Sequence, residues 1–132
     1  MSFQRANFPV TLKGKDAARA FLAPSVIGDR SGGWWVAHVD EQVRCIHLAR
    51  YPSEPMGADD ALPAGAILGD AVRLGSAGLV LASPSSSQSE LATRGRLTRE
   101  LARVAESVDV TVVDHLLFTG GHCVSLRGVG LL

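Results

Sequence analysis

The feature that most constrains the fold is a stretch over residues 78–98, where an apolar segment ends in a serine-rich turn and a helical pattern follows. Residues 76–82 are short and almost wholly apolar, which is typical of a strand buried on both faces. In α/β proteins a strand end that faces a helix start commonly holds binding or catalytic groups, because the loop is exposed while both flanking elements hold it in place. Here that turn carries serines and no metal ligand.

A helix is predicted after the turn, over residues 89–107. Ser87 and Glu90 have the spacing of a capping box at its start. The 3.6-residue period predicts an apolar stripe that faces the core and a charged face on the other side. The stripe consists of Leu97, Leu101, Val104 and Val108, and the charged face of Arg96, Arg99, Arg103 and Glu106.

The rest of the chain predicts one mixed-sheet α/β domain over residues 11–132, with helices flanking the sheet, after a loosely held lead-in over 1–10. The predicted order is helix, strand, strand, helix, strand, helix, strand, strand. The other predicted strands cover residues 34–39, 43–48, 108–118 and 123–126, and a surface loop covers 51–63. A helix over 16–22 is expected to end at Pro24, and a helix over 64–74 is expected to face the core with Ile67, Ala71 and Leu74.

Charge and cysteine content exclude several classes of protein. Thirteen basic and 13 acidic residues give zero net charge, so no overall field attracts nucleic acid or an anionic membrane. Cys45 and Cys123 lack the paired spacing of a zinc or redox motif, which favours two reduced thiols. The first ten residues do not form a signal peptide and no apolar run is long enough to span a bilayer, so we expect a cytoplasmic protein.

Four segments of this sequence together resemble the JAB domain of the RadC family. They are residues 15–22, residues 34–40, residues 67–84, and residues 113–117 with 124–126 and 130–132. The last of these, with Asp-His-Leu-Leu at residues 114–117, is the most specific. The resemblance implies a JAB/MPN-like fold with a cytidine-deaminase-like layer architecture, and in the family it implies zinc-dependent hydrolysis.

The same resemblance assigns positions to the family's chemical groups, because Pro84, Ser85 and Thr98 align with its pattern without a gap. The two zinc-binding histidines fall on Leu81 and Ser83, and the zinc-binding aspartate falls on Arg94. The catalytic glutamate would fall near Gly32 or Gly33. Leucine offers no donor, neutral serine is a poor ligand and arginine is a fixed cation, so we expect neither zinc nor hydrolysis by the family mechanism.

Arg94 is the candidate of most interest, since helical spacing places it above Leu97 and Leu101, pointing toward the serine turn. One hypothesis is that its guanidinium fills the volume of the metal and pairs with Asp114 or with a partner's carboxylate. The alternative is that it extends to solvent. With Ser85, Asp114 and His115 it would line a groove retained for recognition.

Two catalytic alternatives remain open at this stage. Ser83 with Asp114 and His115 suggests a triad, but neighbouring strand residues point to opposite faces, so a structural His115 and turn or capping roles for Ser83 and Ser85 are favoured. A displaced zinc site could use His47, His115, His122 and Cys123.

The predicted function is therefore a metal-free, non-catalytic module that binds a protein partner or assembles with itself. Nucleic-acid binding is a further alternative, supported by the arginines of the charged helix face but weakened by the interspersed glutamates. Trp34 and Trp35 are adjacent, so one is expected to face the core while the other lies on a contact surface or beneath a helix.

Overall fold

The computed structural model describes residues 10–30, 32–52, 62–85 and 91–132, and within them three helices and five strands follow the predicted order. The elements are α1 (Lys15–Gly28), β1 (Trp34–Val39), β2 (Cys45–Tyr51), α2 (Ala64–Leu74), β3 (Gly78–Pro84), α3 (Leu91–Glu106), β4 (Thr111–Thr119) and β5 (His122–Ser125). The predicted α/β class is confirmed. The lead-in, most of the loop over 51–63 and the capping box at Ser87 and Glu90 lie outside the described residues.

All five strands form one mixed sheet in the order β2-β1-β3-β4-β5. β3 and β4 run parallel, and the other neighbouring pairs are antiparallel. The central strand β3 is buried along residues 78–83, as its apolar sequence predicts. The carboxyl ends of β3 and β4 meet at Pro84 and Phe118, and Ser85 follows Pro84 at this end of the sheet.

Two apolar clusters cover the two faces of the sheet. One joins α1 to β1, β3 and β4 through residues such as Leu22, Val80 and Leu116. The other places α2 and α3 against the opposite face, through residues such as Ile67, Leu81 and Leu101. The molecule therefore has three layers, with one helix on one side of the sheet and two on the other. None of the described helices has both the length and the apolar character needed to cross a bilayer.

The prediction that Pro24 ends the first helix is wrong, because α1 continues to Gly28. Proline lacks the N–H that would bond the carbonyl of Ala20, but Ala20 is exposed and its carbonyl can be solvated. Beyond Pro24 the helix buries Val26 in the same cluster as Leu22. Packing of this apolar face extends the helix past the proline.

The predicted bounds of α2 match the structure. Gly75 follows its last residue in the left-handed conformation, with φ of 68°, and caps the helix through N–H bonds to Ala71 and Val72. Ile67 and Ala71 are buried as predicted. Leu74 is not, since it is 40% exposed and Leu68 takes its place on the buried face.

The predicted apolar stripe of α3 is in the wrong phase. Val104 and Val108 are 54% and 40% exposed, whereas the buried residues of the helix are Gly95, Thr98, Leu101 and Ala105. Gly95 has no side chain and Thr98 is polar, so a period analysis of apolar residues gives these two positions no weight. Thr98 is buried because it contacts a buried histidine, and Gly95 because a Cβ there would lie 3.2 Å from that of Leu131.

The strand ends also differ from their predicted positions. β2 begins two residues later, at Cys45, because Val43 has a positive φ of 58° and the Asp40 carboxylate accepts backbone N–H bonds from Gln42 and Arg44. β4 begins at Thr111, since residues 107–109 continue the end of α3 through N–H bonds to its last carbonyls. Both cysteines are free thiols and partly buried.

Candidate functional site

A chain of hydrogen bonds passes through the imidazole of His115 on β4. Its Nε2 lies 2.8 Å from the hydroxyl of Ser83 on β3, and its Nδ1 lies 2.7 Å from the hydroxyl of Thr98 on α3. Thr98 in turn donates to the backbone carbonyl of Arg94, 2.9 Å away. We call Ser83, Thr98 and His115 the His115 network. It links the sheet to the helix directly beneath the predicted site.

The hydrogen bonds fix the direction of each proton in this network. A threonine hydroxyl has one hydrogen, and that of Thr98 is given to the Arg94 carbonyl, so Thr98 accepts a bond from His115. Nδ1 of His115 therefore carries the proton and Nε2 is the acceptor, which receives the hydrogen of Ser83. Every donor on the three side chains is used.

Burial keeps the imidazole neutral. His115 and Thr98 are fully buried and Ser83 is 1% exposed. Burial, with a smaller contribution from the positive charge of Arg94, lowers the pKa of His115 to about 3. A histidine with so low a pKa is a weak base and is poorly suited to accept a proton near neutral pH. The hydrogen bonds of the network are better suited to a structural role.

Arg94 lies above the network, at the predicted site. The carbon of its guanidinium is 4.7 Å from the ring centroid of Trp34, a cation–π contact, and the same indole lies 5.6 Å from the imidazole of His115. Trp34 is 1% exposed, and its Nε1 is buried without a hydrogen-bond partner among the described residues. Trp34 is thus the core tryptophan, whereas half-buried Trp35 packs against the α1 layer and donates to Asp29.

Asp114 does not join Ser83 and His115 in a triad. Its carboxylate accepts bonds from the hydroxyl of Ser125 at 2.5 Å, from the backbone N–H of Arg127 at 3.1 Å and from that of His115 at 2.7 Å. It therefore anchors the end of β5 and the turn beyond it. The argument from strand geometry holds for Asp114, but it did not anticipate the direct contact between Ser83 and His115.

The remaining positions can be tested for their fit to the zinc ion of the resemblance. Leu81 is fully buried in the apolar cluster under α2 and α3 and has no donor atom. The Ser83 hydroxyl is bound to His115, and Arg94 is a cation, so these three side chains do not fit zinc.

Gly32 has a φ of 70°, which disfavours a glutamate there, and a Cβ would lie 3.8 Å from Pro84. Ser85 is buried and its N–H bonds the Phe118 carbonyl.

The structure does not bring together the residues of a displaced metal site. His47 lies on β2 beside His38, with ring centroids 6.2 Å apart, while His122 and Cys123 begin β5 at the opposite edge of the sheet. Among the described residues, no three His, Cys, Asp or Glu side chains form a group that could hold a metal ion.

A second buried histidine, His38, was not singled out by its sequence. Its Nδ1 lies 3.1 Å from the hydroxyl of Ser76 and its Nε2 3.0 Å from that of Tyr51, which donates to Asp70 at 2.6 Å. Burial, with the nearby His47, lowers the pKa of His38 to about 4. Burial likewise raises the pKa of Tyr51 to about 12. In the sequence, the one indication that His38 is buried is its position among the apolar residues of β1.

This is an α/β domain of the class that the resemblance implies. It has three layers, a parallel pair of strands, β3 and β4, and a site at the carboxyl ends of these strands. Comparison with protein families gives a match to the RadC-like JAB domain over residues 12–131. This match covers nearly the whole chain, and the chain belongs to that family. A search of curated proteins finds none that matches it.

Proposed function

We propose that this chain is a non-catalytic JAB domain that holds no zinc and works as a protein-interaction or assembly module. The observation that carries the proposal is the His115 network with Arg94 above it. Of the three positions where the family resemblance would put zinc ligands, Ser83 is hydrogen-bonded to His115, Arg94 lies over the Trp34 ring, and Leu81 is buried without a donor atom. The hydroxyls of Ser83 and Thr98 and the imidazole of His115 satisfy one another's hydrogen bonds without a metal ion.

The network also argues against metal-free hydrolysis. A serine nucleophile must reach the substrate, and Ser83 is 1% exposed beneath the helix that carries Thr98. Its hydroxyl does donate to Nε2 of His115, as in an activated serine. A base whose pKa is about 3, however, would not take the serine proton near neutral pH.

Metal analysis tests the proposal directly. The purified protein is incubated with excess zinc, freed of unbound metal by gel filtration and measured by inductively coupled plasma mass spectrometry. We expect far less than one zinc per chain. A double variant, Cys45→Ser with Cys123→Ser, serves as the matched control, since free thiols are the groups that would retain zinc non-specifically. One zinc per chain in both proteins would overturn the proposal.

A variant with the ligands restored shows whether the residues at Leu81, Ser83 and Arg94 decide zinc binding. Leu81→His, Ser83→His and Arg94→Asp together supply two imidazoles and a carboxylate. We expect this protein to retain zinc after the same gel filtration, or to be unfolded without it by circular dichroism and regain structure with it.

An apolar surface supports the assembly role. Val72 and Leu74 end α2, Val104 and Val108 lie at the end of α3, and all four side chains are at least 40% exposed. The strands that follow these helices are parallel neighbours whose first residues, Gly78 and Thr111, pair with each other. Both helix ends therefore lie at the end of the sheet where β3 and β4 begin. Exposed apolar side chains gathered in one place are typical of a protein contact surface.

Light scattering after size-exclusion chromatography, at increasing protein concentration, tests self-association through this surface. We expect a mass that rises toward that of a dimer, and we expect Val72→Glu with Val104→Glu to keep the chain monomeric. Ile27→Glu is the matched control, because Ile27 is 73% exposed on α1, on the other side of the sheet. A monomer at all concentrations would leave a different protein as the partner, and equal dissociation by Ile27→Glu would exclude this surface.

A further inference from the structure

A cavity of about 370 Å³ lies between α3, the start of β4 and the segment after β5. Its charged lining consists of three arginines and one acid: Arg99, Arg103, Arg127 and Glu106. The described side chains of the His115 network do not line it. We call it the arginine cavity. The side chains of its lining carry an excess of two positive charges in a chain whose side chains have a net charge of zero.

Two of the guanidiniums are held in place by backbone carbonyls. Arg127 donates from Nε to Val113 at 2.5 Å and from Nη2 to Val112 at 3.0 Å, and Arg99 donates from Nη1 to Leu131 at 2.8 Å. A guanidinium has five N–H donors, so each keeps several for a ligand. Because their orientation is already fixed by the fold, little side-chain entropy is lost when they bind an anion.

Arg103 completes the set from α3, one helical turn after Arg99. Within the described part of the chain it makes no ion pair or hydrogen bond, although Glu106 lies three residues away on the same helix. No described carboxylate within ion-pair distance neutralises its charge, so it can turn toward an anion that Arg99 and Arg127 have engaged.

The rest of the wall is apolar, formed by Ala102, Val112 and Leu132. These residues join the cluster that packs α2 and α3 on the sheet, so the wall is firm. A cavity of this size falls in the range of small-molecule sites, roughly 300–1,000 Å³, which combine apolar walls with a few polar groups.

We infer that the arginine cavity binds a small phosphate monoester. A dianionic phosphate matches the excess of two positive charges and the forked donors of arginine, and the apolar wall receives the organic part of the ester. A carboxylate supplies only one charge. The inference does not depend on the proposed function, since it needs neither the absence of zinc nor self-association.

Isothermal titration calorimetry with phenyl phosphate at pH 7.5 and constant ionic strength tests the inference. We expect saturable binding of one molecule per chain, weaker binding of benzoate, and weaker binding of inorganic phosphate because it lacks the apolar part. Arg103→Gln should weaken phenyl phosphate binding about three- to tenfold, the effect of removing one partly screened charge. Glu106→Gln should strengthen it about threefold, because it removes an acidic side chain from the lining.

Arg96→Gln is the matched control, since Arg96 is exposed on the same helix and does not line the cavity. It should leave the affinity unchanged. Equal weakening by Arg96→Gln and Arg103→Gln, or no heat of binding with phenyl phosphate, would overturn the inference. Tight binding of duplex DNA that depends on Arg96 as well as on Arg99, Arg103 and Arg127, while phenyl phosphate binds no better than benzoate, would also overturn it. The surface would then recognise a nucleic-acid backbone.

Discussion

At the scale of single residues, this domain uses buried histidines as cross-links between layers. His115 ties β4 to β3 and α3, and His38 ties β1 to the end of β2 and, through Tyr51, to α2. Each ring has both nitrogens hydrogen-bonded and is neutral. A buried imidazole stabilises a fold only when both nitrogens have partners, so the neighbouring hydroxyls are as important as the rings.

Thr98→Val is expected to lower the free energy of unfolding by about 1–3 kcal/mol, although valine has nearly the same shape. The substitution removes the acceptor of the Nδ1 proton and leaves a buried N–H unpaired. Urea unfolding followed by circular dichroism measures the loss. Thr111→Val is the matched control, because Thr111 is exposed at the start of β4, and it should change stability by no more than about 0.5 kcal/mol. Equal effects of the two changes would mean that the network adds nothing to stability.

At the scale of elements, helix ends are predictable where a local residue decides them. Gly75 ends α2 by its own conformation, so its position in the sequence was enough. Pro24 was expected to end α1 in the same local way. It does not, because Val26 packs on the sheet, and the residues next to Pro24 in the sequence do not predict that contact. The phase of α3 failed for a related reason: Thr98 is inward because of His115, a partner 17 residues away.

A glycine inside α2 and the glycine that caps it should respond to alanine in opposite ways. Gly69 is inside the helix and a Cβ there meets nothing within 4 Å, so Gly69→Ala should stabilise the protein by about 0.5–1 kcal/mol. Gly75 has a φ of 68°, so Gly75→Ala should destabilise it by about 1 kcal/mol or more. Thermal unfolding of the two variants measures the pair, and a shift of the same sign in both would contradict the assignment of the helix end.

At the scale of the whole molecule, the sheet register decides what the sequence could reveal of the site. Arg94, Ser83 and His115 were singled out from the sequence, but their contacts were not. The contact of Ser83 with His115 depends on the parallel pairing of β3 with β4 and on an irregularity between Leu79 and Val80 that shifts the register. Strands 32 residues apart carry no local signal of that register, and an inserted residue reverses which face each side chain occupies.

Acid should destabilise the domain at a higher pH than carboxylates alone would explain. An unfolded histidine has a pKa of about 6.5, whereas His38 and His115 have pKa values of about 4 and about 3 in the fold. The unfolded chain therefore binds more protons, and stability falls as the pH drops below about 6.5 until those lower values are reached. Between pH 7.5 and 5.5 the two histidines together should cost about 3 kcal/mol.

Urea unfolding at the two pH values measures this loss. His122→Gln is the control, because His122 is exposed at the start of β5 and should leave the difference unchanged. A free energy of unfolding that is equal at pH 7.5 and 5.5 would show that the buried imidazoles do not stay neutral in the folded state.

The packing of Arg94 on Trp34 above the His115 network also bears on how such a sequence can evolve. Changing only Ser83 to histidine removes the donor to His115, and changing only Arg94 to aspartate removes the cation that lies over the Trp34 ring. Changing only Leu81 buries an imidazole among apolar side chains. Zinc would repay these costs only once all three changes are present. Each of the three changes made alone should therefore lower the stability of the protein, and only the combination could be stabilised by zinc.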